Sequence, residues 1–267
     1  MTGLVSEAIE LRGGKTQTVF RGGSGSPVVW LHAANGIDDA HPLVNELQRR
    51  YSVVAPLAPG FTDLAELDDV ADIHELAMHY DDVLEALGLD GATVIGHSFG
   101  GMIAAELAAH YPKRVSRLVL IAPVGLWNDE YPVIDIFAVP LPELPNVLFA
   151  DPAFIPPPPQ PGAAEEELDV EALITLARGM TSVAKFMWPI PDRGLARRLD
   201  RITAPTLVVF GAEDAIVPAS YADDFVAGIA DARKAIVPGA GHMVPVERPE
   251  ETLGAIEAFL GGIGGPL

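Results

Sequence analysis

Residues 92–110 read ATVIGHSFGGMIAAELAAH, and this stretch decides the fold. It opens on a brief apolar, β-branched run that meets glycine, the pattern of a strand buried on both faces. It closes on an alanine-rich run that reads as a helix. Between them lies Gly96-His97-Ser98-Phe99-Gly100, a G-x-S-x-G motif. A serine on such a strand-to-helix turn is held in a strained conformation with its hydroxyl exposed at the end of the strand. The flanking glycines are required because a side chain there would clash across the turn. The hydroxyl then stands at a helix N-terminus, whose dipole favours a developing negative charge.

The same alternation extends outward. Residues 28–31 (VVWL), 52–58 (SVVAPLA), 118–121 (LVLI) and 206–210 (TLVVF) are further short apolar runs bounded by Gly or Pro. In residues 68–87, Val70, Ile73, Leu76, Tyr80, Val83, Leu84 and Leu87 recur at spacings of three and four, one face of a helix. Residues 247–260 also read as helix. The first 22 residues predict a hairpin, SEAIEL and TQTVF joined at Gly13-Gly14. Strands alternating with helices predict a mostly parallel sheet covered on both faces.

Residues 125–193 break this rhythm. They carry Pro156 to Pro159, the acidic run Glu165 to Glu167, and a helical stretch at 168–187. Trp127, Phe137, Phe149, Phe154, Phe186 and Trp188 give more apolar bulk than a solvated linker holds. The segment reads as a lid over one end of the sheet, inserted into a core made of residues 1–124 and 194–267.

Composition narrows the partners. The 267 residues carry a formal net charge of -20. Phosphate binding needs clustered Lys and Arg, so nucleic acid is excluded as a partner and an anionic membrane surface is disfavoured. Without cysteine there is no disulfide, thiolate metal site or Cys nucleophile. Glu7 and Glu10 interrupt what would be a signal sequence, and no apolar run approaches the ~18 residues of a membrane span. A cytoplasmic protein is expected.

Serine needs a base to become a nucleophile, and the base needs an orienting acid. Residues 207–214, LVVFGAED, read as a strand ending at Asp214, and 235–242, AIVPGAGH, as a strand and glycine-rich loop ending at His242. Alone, Asp214 reads equally as a turn or cap aspartate, and His242 as a solvated loop histidine. Together with Ser98 they stand in the order Ser, Asp, His, each just past a strand, where a parallel sheet gathers its functional loops.

With these motifs in place, the sequence resembles the α/β-hydrolase family. VVWLHAANG, VIGHSFGG, FGAEDAIVP and GAGHMVPVERPE stand in that family's order and cover most of residues 27–124 and 203–260. The resemblance implies an eight-stranded, mostly parallel sheet with a lid between the sixth and seventh strands. It implies Ser98 as nucleophile, Asp214 as orienting acid and His242 as base, with Asp129 as a competing acid. One oxyanion donor is the N–H of Phe99. The other is expected from the loop His32-Ala33-Ala34-Asn35-Gly36, where Ala replaces the family's usual glycine; Ala34 is the expected donor and Ala33 the alternative. His32 is expected to be structural, and His97 to point away from the pocket. His74 and His79 are expected on the exposed face of their helix, and His41 and His110 have no assigned role. Neither a metal nor another cofactor is called for.

The lid has Arg178, Lys185 and Arg193 against 11 acids, and aromatic and aliphatic bulk. That favours an uncharged, apolar carboxylic ester or lactone, with Trp127 and Trp188 near the pocket. Carbon–carbon bond hydrolases and cofactor-free perhydrolases share the triad and remain alternatives. A non-catalytic ligand-binding receptor is the alternative of another class.

Overall fold

The computed structural model describes residues 3–37, 41–155, 170–190 and 193–262. Eight strands form one sheet: β1 (Val5–Glu10), β2 (Thr16–Gly23), β3 (Pro27–Leu31), β4 (Ser52–Pro56), β5 (Ala92–His97), β6 (Val115–Ile121), β7 (Thr206–Gly211) and β8 (Ala232–Val237). Their spatial order is β1-β2-β4-β3-β5-β6-β7-β8. The first two strands run antiparallel to their neighbours, and the other six are parallel. The expected hairpin forms from β1 and β2 around Gly13 and Gly14, at φ 81° and 77°, where only glycine is unstrained.

The helices are α1 (Pro42–Gln48), α2 (Ile73–Ala86), α3 (Phe99–His110), α4 (Leu144–Leu148), α5 (Val170–Met187), α6 (Tyr221–Gly228), α7 (Val244–Glu247) and α8 (Pro249–Gly262). They divide the core into two layers. Successive strand residues point to opposite faces. Val29, Leu31, Val94, Leu118, Leu120, Val208 and Phe210 pack towards Leu76 and Tyr80 of α2, Ile103 of α3 and Phe225 of α6. Val28, Trp30, Ile95, Val119, Ile121, Leu207 and Val209 pack towards Leu43 and Leu47 of α1 and Ile256 and Phe259 of α8. Both faces of β3 to β7 are buried, so these central strands lack the apolar–polar alternation of a half-exposed sheet.

Two helices differ from the sequence expectation. The periodic run over 68–87 does not begin as a helix. Leu64–Asp69 form a 3-10 turn, and Asp72, in extended geometry, caps α2 by accepting from His74 N at 2.9 Å and Glu75 N at 3.0 Å. The run at 247–260 is divided at Pro249, which lacks the N–H that a continuous helix needs.

His79 is a correction. His74 is exposed, as expected, but His79 is half-buried, and its Nε2–H donates to Gln17 Oε1 at 2.7 Å. Gln17 in turn donates to the carbonyls of Thr18 and Leu57, both at 2.7 Å. Burial pushes His79 down to about 4, so it stays neutral as a tie between α2 and β2.

Within residues 125–193, Trp127 and Phe137 pack against the core and Phe149 stacks on Phe154. The prolines 156–159 and the acidic run 165–167 lie outside the described residues. Helix α5 crosses the loops that follow β3 and β4. Ser182 Oγ donates to Pro59 O at 2.5 Å, Lys185 Nζ donates to Leu67 O, and Phe186 stacks on Phe99 with ring centroids 6.2 Å apart. Among the described residues, no helix is long and apolar enough to cross a membrane.

Candidate active site

Ser98 sits between the end of β5 and the start of α3 at φ 54°, ψ -113°. This is a left-handed conformation that a side chain adopts only under constraint. The constraint is visible around it. The Ser98 N–H donates to Ile121 O at 2.9 Å, and the Ser98 carbonyl accepts from Met102 N at 3.1 Å. A Cβ on Gly96 would overlap Gly100 O, and one on Gly100 would overlap Leu31 O. The turn therefore closes only with glycine at both positions. Phe99 is the first residue of α3, so its N–H has no acceptor within the helix.

The other two side chains arrive on loops after β7 and β8. Gly211 at the end of β7 passes so close to Ala240 and Gly241 that a Cβ would overlap their carbonyls. This approach brings Asp214 to His242. His242 Nδ1–H donates to Asp214 Oδ2 at 2.9 Å, and His242 Nε2 accepts from the Ser98 hydroxyl at 2.8 Å. Asp214 Oδ1 accepts the N–H groups of Ile216 and Val217, both at 2.9 Å, which fixes the carboxylate. All three side chains are buried, with Ser98 only 7% exposed. Asp129, the competing acid, is exposed and instead accepts Trp127 Nε1–H at 2.8 Å.

The neighbouring histidines hold loops. His32 Nδ1–H donates to Ala33 O at 2.7 Å, and its Nε2 accepts Ala58 N–H at 2.9 Å. Burial pushes it down to about 4, so it links the ends of β3 and β4 as a neutral ring. His97 Nε2–H donates to the His242 carbonyl at 3.0 Å. Burial, then the neighbouring His242, push His97 down to about 3. The Ala33 carbonyl also accepts Gly36 N–H at 3.0 Å. In a trans peptide the N–H points opposite the carbonyl, so Ala34 N–H is turned away from the His32 ring. The Ala34 carbonyl faces Gly179 of α5, where a Cβ would lie 2.6 Å from it.

Beside the serine turn is a small, mostly apolar cavity lined by Met102, Val124, Leu126, Val133 and Met187, with Arg193 among its lining residues. Neither Trp127 nor Trp188 lines it; Trp127 is half-buried, and Trp188 stands on the surface, 54% exposed. A larger polar cleft, of about 520 Å³, lies between β2 and α2 around Lys15, Gln17, Glu66 and His79. Neither cavity is lined by Ser98, Asp214 or His242.

His74, Glu106 and His110 come within metal-ligating distance of one another. Glu106, however, is held by both oxygens against Arg198, at 2.8 and 2.6 Å, and His110 Nδ1–H donates to Glu106 O at 2.8 Å. That donor set serves the α2–α3 contact, and its carboxylate is already neutralised. Sequence reasoning missed Glu247, Gly179 and Ser182. Each acts through a long-range backbone contact, which leaves no local pattern.

The sequence model of the alpha/beta hydrolase family matches residues 20–255. The chain is 30% identical to polyketide synthase ThaQ of Burkholderia thailandensis over 96% of its own length, spanning 13% of that protein. It is 27% identical to a 2-hydroxy-6-oxo-6-phenylhexa-2,4-dienoate hydrolase of Burkholderia cepacia, over 85% of each chain. Among solved structures, a bacterial membrane phospholipase A superposes with a TM-score of 0.80 at 26% identity, over 98% of this chain and 87% of that one.

Proposed function

Because this chain belongs to the alpha/beta hydrolase family, we propose that it is a serine hydrolase that cleaves a neutral, largely apolar carboxylic ester or lactone. The hydrogen-bonded line from Ser98 Oγ through His242 to Asp214, at 2.8 and 2.9 Å, carries this reading. His242 takes the hydroxyl proton as Ser98 attacks the carbonyl carbon, and Asp214 stabilises the imidazolium that forms. The N–H groups of Phe99 and Ala34 receive the oxyanion, Phe99 at the positive end of α3. His242 then returns the proton to the leaving group, and water releases the acyl group by the reverse sequence.

Residues 125–193 serve as the lid, with α5 covering the loops that carry the donors. The apolar bulk of residues 125–193, with only three basic side chains among them, favours an uncharged acyl group. Trp127 and Trp188 lie outside the small cavity beside the serine turn and are proposed as contacts only for a substrate large enough to extend to the lid surface. A second reading, carbon–carbon bond hydrolysis of a vinylogous diketone, is supported by the similarity to the dienoate hydrolase over 85% of each chain. The protein is read as acting on a small molecule in the cytoplasm.

A fluorophosphonate probe and a panel of esters, lactones and vinylogous diketones test both readings. The wild-type chain should label and Ser98→Ala should not, with ester turnover falling by at least about 10³-fold. A wild-type chain that neither labels nor turns over any panel member would defeat the hydrolase reading.

A further inference from the structure

The base, His242, sits on a loop held by a carboxylate five residues further along. Glu247 is 4% exposed. A buried carboxylate persists only where its oxygens are paired or hydrogen-bonded. Those of Glu247 take backbone N–H groups from two segments, one adjoining the base and one nearly a hundred residues away. Oε2 accepts Gly241 N–H at 2.7 Å, next to the base. Oε1 accepts the N–H groups of Ala150 and Asp151, both at 2.8 Å.

The same two segments touch elsewhere. Met243 N–H donates to Leu148 O at 3.1 Å, and Arg248 reaches Asp151 Oδ2 with both terminal nitrogens at 3.3 Å. Gly241 permits the approach: a Cβ there would lie 2.8 Å from Ala150 N and 2.9 Å from Leu148 O. The base loop and residues 148–151 of the insertion are therefore in backbone contact, and Glu247 bridges them with one oxygen each.

We propose that Glu247 is a positioning residue for His242. Its carboxylate clamps Gly241 to the segment 149–151, so the alignment of the base depends on how that part of the insertion is seated. The proposal rests on the serine-hydrolase reading. His242 must meet Ser98 and Asp214 at once, and a displacement of about 1 Å costs on the order of a hundredfold in rate.

Glu247→Gln separates the two halves of the clamp. The amide keeps one acceptor oxygen, which the paired N–H groups of Ala150 and Asp151 claim. Its NH₂ then faces the Gly241 N–H, donor against donor, and the base side is released. With p-nitrophenyl acetate, kcat should fall about tenfold or more while KM stays within about twofold. Labelling of Ser98 by a fluorophosphonate should slow in proportion. Glu143→Gln, at an exposed carboxylate of the same insertion that bonds only Asn146 among the described residues, should label within about twofold of wild type. If Glu247→Gln does not fold, Glu247→Asp replaces it: one methylene shorter, it cannot reach both segments, and the same split is expected. Wild-type kcat and labelling rate in a folded variant, or a loss confined to KM, overturns this inference and leaves the hydrolase reading intact. A wild-type chain that does not label overturns both.

Discussion

Asp214 divides its two oxygens between two tasks. Oδ1 is held by the Ile216 and Val217 N–H groups, while Oδ2 receives the His242 ring proton. Asp214→Asn preserves the first task and inverts the second. The asparagine oxygen keeps the two backbone donors, so its NH₂ faces His242 Nδ1 and drives the ring proton to Nε2, opposite the serine. Turnover of p-nitrophenyl acetate should fall by about 10³- to 10⁴-fold with little change in the urea midpoint. Steady-state kinetics beside a denaturation curve checks both halves of this expectation. Ser98, Asp214 and His242 were legible as residues because each follows a strand in a fixed order. Their distances were not legible, because three separate loops set them. Glu247 carried no such signal: an acid in VPVERPE looks like a solvated helix residue until the fold buries it.

Among the elements, α5 has the most consequence for the site. It meets the candidate oxyanion loop at Gly179 and the loop after β4 at Ser182, whose hydroxyl donates to Pro59 O at 2.5 Å. In an exposed helix, Gly→Ala stabilises by about 1 kcal/mol. Here the new methyl would lie 2.6 Å from Ala34 O and 3.0 Å from the Phe61 ring. Backbone cannot yield as a flexible side chain does, so the clash should outweigh the propensity gain. Gly179→Ala is expected to lower the melting temperature by a few degrees and kcat by about tenfold, since a weakened oxyanion donor costs up to about 10²- to 10³-fold. A thermal melt that rises instead would show that α5 does not press on this loop. The helix itself was visible in the sequence as the stretch 168–187. What it covers was not, since periodicity gives an apolar face without naming its partner.

At the scale of the whole molecule, three neutral histidines, two buried and one half-buried, make stability depend on pH. In the unfolded chain His32, His79 and His97 titrate near 6.5. In the fold burial lowers them to about 4, about 4 and about 3. Between these limits the unfolded state binds more protons, so stability falls as pH drops from about 6.5 towards 4. The two deeply buried rings, His32 and His97, each contribute on the order of 3 kcal/mol to that loss. Asp72, held below its ordinary range first by the Glu75 N–H, adds its own loss only at lower pH. Scanning calorimetry should show a plateau in melting temperature above pH 6.5 and a steady fall below it. His79→Gln should flatten that fall, because glutamine removes one of the three proton sites. A melting temperature independent of pH across this range would contradict the buried neutral rings.

The amino-acid order by itself determined the alternating architecture, the glycines at the serine turn and the order of the triad. These are local matters: strand and helix periods, and a turn that admits no side chain, are written within a few residues. The tertiary structure decided what long-range contact alone can decide. It chose Asp214 over Asp129 as the acid at His242, drew His79 into a half-buried tie with Gln17, and left Trp188 on the surface. It also buried Glu247 between two segments nearly a hundred residues apart. Hydrogen-bond partners and burial depend on which surfaces meet, and no spacing along the chain specifies that.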